Sequence, residues 1–181
     1  SVLPLTGFAP GINTVLPEQP ASMAHSSTDI WMEIPTMRMG ATIAGVPLVD
    51  GDWNVSWLGR QVGWLEGTAF PTWKGNSAVT GHVTLANGTA GPFAELSNLK
   101  WGDKVRIHAY GYIYTYQVRE NKVVSPNDTS VLKHEAEDWL TLITCKDYNE
   151  KTGEYSNRIS VRAVLIDVQK KQHPTIPAGV R

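Results

Sequence analysis

Residues 112–118 (YIYTYQV) alternate aromatic or β-branched side chains with smaller or polar ones at a period of two, the pattern of a half-buried β-strand. Residues 76–82, 104–109 and 159–168 carry similar runs. Residues 140–145 (LTLITC) are branched or apolar throughout, as expected of a strand buried on both faces. Residues 30–39 (IWMEIPTMRM) and 41–49 (ATIAGVPLV) predict an opening pair of short strands. Only residues 90–99 (AGPFAELSNL) predict a helix, a short one started at Pro92. No internal repeat is present, and Gly, Pro and Asn punctuate the runs. Many short strands with such turns predict an all-β closed barrel or sandwich. Trp53, Trp57, Trp64 and Trp73 fall in residues 51–75. We read that stretch as a long connection covering the barrel, its tryptophans packing core and rim, in preference to a glycan-binding surface.

The ends differ in character. Residues 1–28 mix proline with Gly, Ser and Thr without a sustained period and predict an extended arm or linker, so the folded body is expected to span residues 29–169. Residues 170–181 predict a loose tail. With 181 residues, 41% hydrophobic and 18% charged, the chain has the composition of one globular domain. A formal net charge of −1 gives no electrostatic basis for nucleic-acid binding. No run approaches the roughly 20 apolar residues that span a bilayer. The sequence starts at Ser1, consistent with a processed product that has lost an upstream signal or anchor. A single cysteine, Cys145, excludes an intramolecular disulfide and any multi-cysteine zinc site.

Cys145 ends its predicted strand and is followed by a polar segment, residues 146–157, expected to be a loop. Arg158 opens the next strand 13 positions on, so a hairpin returns it beside Cys145. His82 ends the strand of residues 76–82, after Gly81. Each signal alone fits a packed thiol, a satisfied histidine or a solvated charge. Three such groups at strand ends can meet on one edge of a barrel.

In combination, TLITC at 141–145, the spaced Arg158-Ile-Ser-Val, and Thr80-Gly81-His82 upstream of Phe93, Leu96 and Gly102-Asp103 resemble the sortase family of cysteine transpeptidases. Residues 146–154 (KDYNEKTGE) and the segment Val124 to Leu132 resemble in particular the class A housekeeping sortases. The resemblance covers about residues 30–168 and implies a closed eight-stranded β-barrel with one or two short helices. It implies a reaction in which an LPxTG-like sorting signal is cut between Thr and Gly through a thioacyl-enzyme and joined to an amine. The alternatives are a hydrolytic cysteine protease and a pilin-polymerising sortase. By the same resemblance Cys145 is the nucleophile, His82 the general acid and base, and Arg158 the clamp for substrate and oxyanion. Arg162 lies further along the same strand and lacks the family spacing. Thr80, Val131, Leu132, Ile143 and Thr144 are the implied substrate-binding residues, against the plainer reading of core packing. The implied partners are LPxTG-bearing surface proteins and an amine acceptor such as a peptidoglycan cross-bridge or lipid precursor. The implied location is the cell surface, with a membrane tether and an extracytoplasmic catalytic domain.

In calcium-stimulated members an acidic side chain of the substrate loop helps hold the ion. Here that place falls at His134, next to Glu135, and neutral imidazole is a poor ligand for a hard cation, so no metal or other cofactor is expected. His134-Glu135 also lacks the second histidine of a zinc-protease helix.

Residues 3–7 read Leu3-Pro4-Leu5-Thr6-Gly7, itself an LPxTG match, without the apolar span and basic tail that follow a sorting signal. Two readings are open. The stretch is a plain linker, or it is a self-recognition motif that lies in the groove of its own or a neighbouring molecule. A non-enzymatic surface module anchored through Leu3 to Gly7 is a third function class, and it leaves the Cys–His–Arg combination unexplained.

Overall fold

In the computed structural model, residues 2–17 and 30–172 are described. Ten strands follow in chain order: β1 (Trp31–Ile34), β2 (Met39–Val46), β3 (Leu48–Val49), β4 (Asp52–Trp53), β5 (Val62–Leu65), β6 (Gly75–Thr80), β7 (Lys104–Ala109), β8 (Tyr112–Val124), β9 (Asp138–Asn149) and β10 (Glu154–Lys170). Eight close into a barrel in the order β1-β2-β5-β6-β9-β10-β8-β7, and β3 with β4 forms a separate two-stranded ribbon. Closure leaves the barrel itself without an unpaired edge, which lowers the aggregation hazard of a β-rich chain. Two contacts are parallel, β2 with β5 and β6 with β9. The second sets the site, because it brings the C-terminal end of β6 beside the middle of β9.

Alternation along the strands fills the barrel. Tyr116 and Val118 of β8, Leu140 and Leu142 of β9, and Ile159, Val161 and Ala163 of β10 join Met32, Ile34, Val105, Ile107 and Phe93 in one apolar core. Burying each larger side chain contributes about 1.5–3 kcal/mol. A second cluster, Val46, Val55, Leu58 and Leu65, lies under the connections on the β5 side.

Three expectations are corrected. Residues 90–99 form no α-helix; they turn repeatedly and reach only a 3-10 turn at Leu96–Asn98. Phe93 and Leu96 are driven into the core, and the backbone bends to place them rather than following a regular helix. The only other helical pieces among the described residues are 3-10 turns at Pro35–Met37 and Thr129–Leu132. Residues 51–75 are not merely a covering connection: they contribute the barrel strand β5, where Gly63 packs so close to Val46 that an added Cβ would lie 2.5 Å from its methyl group. The segment 146–157 is largely strand, because β9 continues to Asn149 and β10 begins at Glu154.

Candidate active site

Register alone brings the three predicted groups together. In the parallel β6–β9 pair Thr80 stands opposite Ile143. His82 and Cys145 each lie two positions further, so both side chains leave on the face of Thr80 and Ile143. In the antiparallel β9–β10 pair Cys145 stands opposite Arg158, which puts the guanidinium on that face as well. The alternate residues Leu140 and Leu142 point into the core, so this face looks outward, into a groove.

Side chains lock the two strand ends. Thr80 Oγ1 donates to the Ile143 carbonyl (2.8 Å) and Thr144 Oγ1 donates to the Gly81 carbonyl (2.7 Å). These bonds replace ladder bonds where the parallel pairing runs out. The chain beyond His82 folds back against it. The Phe93 N–H donates to the His82 carbonyl (3.1 Å), and Gly91 approaches so near that a Cβ there would lie 2.1 Å from that oxygen. The His82 ring nitrogen Nε2 is 2.9 Å from the Val55 carbonyl, Nδ1 is buried, and the Thr6 backbone is the second group that acts on the ring.

The groove is occupied by the chain's own residues 3–8. Leu3 is 1% exposed and packs against Val124, Val131, Ile143 and the partly buried Leu132, and its N–H donates to the Pro126 carbonyl (2.7 Å). Arg158 Nε donates to the Pro4 carbonyl at 3.1 Å, while its Nη1 is bonded to the Asn157 and Tyr155 carbonyls of its own strand. Leu5, the variable position of the motif, points outward at 57% exposure. Thr6 is fully buried. Its N–H donates to Cys145 Sγ at 3.1 Å, its hydroxyl lies 3.5 Å from that of Thr144, and its carbonyl accepts from the Val83 N–H at 2.8 Å. Phe8 lies against the His82 ring, centroids 5.1 Å apart, and Tyr155 Oη donates to the Phe8 carbonyl (3.0 Å).

Cys145 and His82 are each 1% exposed. Burial pushes the Cys145 thiol above its ordinary pKa, opposed by the Arg158 charge and by the Thr6 amide and hydroxyl. Burial pushes the His82 imidazole below its ordinary pKa, opposed by the Val55 and Thr6 backbone. Both effects favour the neutral thiol–imidazole pair.

Val131, Leu132 and Ile143 therefore meet a leucine of the motif, and Thr144 meets its threonine. Thr80 reaches only the Ile143 carbonyl. The groove also uses groups that the sequence did not reveal: the Val83 N–H, the Pro126 and Val55 carbonyls, and the Tyr155 hydroxyl. Backbone groups carry no residue signature, and Tyr155 lies in a stretch read as loop. Arg162 stands apart, ion-paired with Glu135 at 3.1 Å and stacked over Trp139. Among the described residues no cluster of three His, Cys, Asp or Glu side chains could hold a metal ion.

A family profile described as the sortase domain matches residues 32–166. Sortase A of Bacillus anthracis is 32% identical over 82 residues, 45% of this chain and 38% of that protein. Sortase D of Bacillus subtilis is 30% identical over 121 residues, 65% of this chain and 54% of that protein. The chain thus spans about half or less of the length of these curated relatives. Among solved structures, a lid mutant of Sortase A from Corynebacterium diphtheriae superposes with a TM-score of 0.66 at 30% identity, covering 87% of this chain and 77% of that one. A Sortase D5 transpeptidase of Clostridium perfringens gives 0.61 at 28% identity, over 76% and 78%. With the profile spanning nearly the whole barrel, and the barrel carrying the thiol, imidazole and guanidinium on one outward face, the chain belongs to the sortase family.

Proposed function

We propose that this sortase cleaves LPxTG-like signals between Thr and Gly and transfers the new carboxyl end to an amine. The observation that carries this reading is the seating of Leu3 to Gly7. The leucine fills the apolar pocket, the proline carbonyl meets Arg158, and the threonine meets Cys145. A substrate peptide of the same sequence has the same groups to offer.

The Cys145 thiolate attacks the threonine carbonyl, and the C–N bond to glycine breaks to give a thioester. His82 as imidazolium protonates the departing glycine amine, and as imidazole it then takes a proton from the incoming amine. Arg158 holds the chain upstream of the scissile bond, and the Val83 N–H stands where the threonine carbonyl develops negative charge. With ordinary pKa values of about 8.5 for cysteine and about 6.5 for histidine, only a few per cent of the thiol is ionised near neutral pH, so slow turnover is expected.

We place the catalytic barrel outside the cytoplasm, where family members act on surface proteins. No helix among the described residues is long and apolar enough to cross a membrane. We further propose that calcium is not required. Glu135 is committed to Arg162 at 3.1 Å, and its neighbour is His134 rather than an acid. Activity is therefore expected to be unchanged by EDTA or added calcium; a several-fold response to calcium would contradict this.

The test is incubation with an LPxTG peptide and triglycine, with products followed by mass spectrometry. A triglycine-extended LPxT product, absent with Cys145→Ala, is expected from the full chain or, where its own residues 3–8 cover the thiol, from the Leu3→Asp chain. Release of the free threonine acid alone, even with abundant triglycine, would make the chain a hydrolase instead.

A further inference from the structure

The seated arm engages more than the motif. Beyond Gly7, the Phe8 N–H donates to the Thr84 carbonyl (3.0 Å), the Gly11 N–H to the Gly88 carbonyl (2.9 Å) and the Thr14 N–H to the Ala86 carbonyl (2.6 Å). From Leu3 to Thr14 the arm lines the groove on both sides of Cys145. With it in place Cys145, His82 and Arg158 are between 1% and 3% exposed, so a peptide arriving from solution has no access to the thiol.

The seated bond is also not poised to break. Cleavage after Thr6 requires a proton for the Gly7 nitrogen. His82 Nε2 is held by the Val55 carbonyl, and the ring's other backbone partner is Thr6 rather than the Gly7 nitrogen; among the described residues no hydrogen bond joins His82 to Cys145. The arm's own threonine amide donates to the sulfur (3.1 Å), so the sulfur faces the amide nitrogen of Thr6.

We propose that residues 2–14 are a built-in pseudosubstrate, a copy of the sorting signal that fills the groove in cis, keeps the enzyme closed and must lift off before another chain reaches Cys145. The mimicry of a substrate rests on the function proposed above; the occlusion rests on geometry alone. Tethering gives the arm a high local concentration, on the order of millimolar, so a free peptide competes poorly until the arm is displaced. The fit is close at Gly7, where an added Cβ would lie 2.7 Å from the Tyr155 ring and 2.8 Å from a Val83 methyl. It is apolar at Leu3, which is 1% exposed.

Cys145 is the only cysteine, so total thiol alkylation reads this site alone. We would measure iodoacetamide labelling of the full chain beside Leu3→Asp and Gly7→Ala, two changes that unseat the arm at different points and leave the barrel's own residues intact. Both variants are expected to label faster, Leu3→Asp by at least about tenfold, the factor that corresponds to losing the burial of one leucine side chain. Wild-type protection is expected to be independent of protein concentration. Equal rates in all three proteins would overturn the proposal. Loss of wild-type protection on dilution would do so too, assigning the arm to a second copy. So would accumulation of a wild-type chain cut between Thr6 and Gly7 but left whole in Cys145→Ala, since the arm would then be a substrate. Faster labelling of both variants without any turnover of an LPxTG peptide would support the closed arm and count against the transpeptidase reading instead.

Discussion

Cys145 sits where burial and charge pull in opposite directions, and burial prevails: its thiol lies above the ordinary range despite Arg158, while His82 lies below its own. The sign of the pH dependence follows. The closed groove favours the protonated thiol, so seating of the arm weakens as pH rises through the thiol range. It also favours the neutral imidazole, so seating weakens as pH falls below the histidine range. Arg158 and Tyr155, both on β10, are the charged and titratable groups that act on the thiol from that strand. Protection of Cys145, measured as the labelling ratio of Leu3→Asp to wild type, is expected to peak between about pH 6.5 and about pH 8.5. A ratio that is flat from pH 5 to 10 would contradict this coupling. Arg158→Lys keeps the charge but loses the planar fork that reaches the Pro4 carbonyl while bonded to Asn157 and Tyr155. Compared within the Leu3→Asp chain, where the arm is unseated, kcat/KM is expected to fall by about 10²–10³, the usual loss for one preorganised donor. Retention of more than a third of that chain's activity would remove Arg158 from the clamp. The convergence of Cys145 and Arg158 was legible in the sequence, because 13 positions of strand, turn and strand return one residue opposite the other. The Val83 N–H and the Val55 carbonyl were not legible, since any residue supplies them.

The elements that hold the groove are β6, the middle of β9 and the segment between β8 and β9. Asn76 of β6 ties that segment down: its Nδ2 donates to the Val131 carbonyl at 2.8 Å and the Lys133 carbonyl at 3.0 Å, and its Oδ1 accepts from Thr141. Asn76→Ala leaves buried carbonyls unpaired, and a loss of about 1–3 kcal/mol in unfolding free energy is expected. The same change frees Val131 from the motif's leucine pocket, so within the Leu3→Asp chain KM for an LPxTG peptide is expected to rise more than kcat falls. Unchanged stability and KM would show that the segment is held elsewhere. Strand existence was readable from alternation in β7, β8 and β10, where one face is apolar. Two features hid from that reading. The four-residue strand β5 carries Gly63 at a close approach and pairs in parallel with β2, without a hairpin turn to announce it. The outer part of the β9–β10 hairpin extends beyond the barrel core, so its exposed residues read as loop.

At the scale of the whole molecule, a closed barrel with one continuous core gives the site a rigid wall. Leu142 is fully buried in that core, two strands of the site share its packing, and Leu142→Ala is expected to cost about 2–5 kcal/mol of stability. Denaturant unfolding checks this figure, and a loss below about 1 kcal/mol would mean that the barrel repacks around the gap. The outward face of the same strands holds the chemistry and, in this chain, the arm that covers it. The family motifs and the LPLTG stretch were both visible in the sequence; that one lies in the groove made by the other could come only from the fold. The most direct test of the account is the intact mass of the Leu3→Asp chain mixed with an LPxTG peptide and no added amine. A gain equal to the peptide acyl group ending in threonine is expected, carried on Cys145 and removed by triglycine. An unmodified chain whose thiol nonetheless labels freely with iodoacetamide, or an adduct on any other residue, would contradict it.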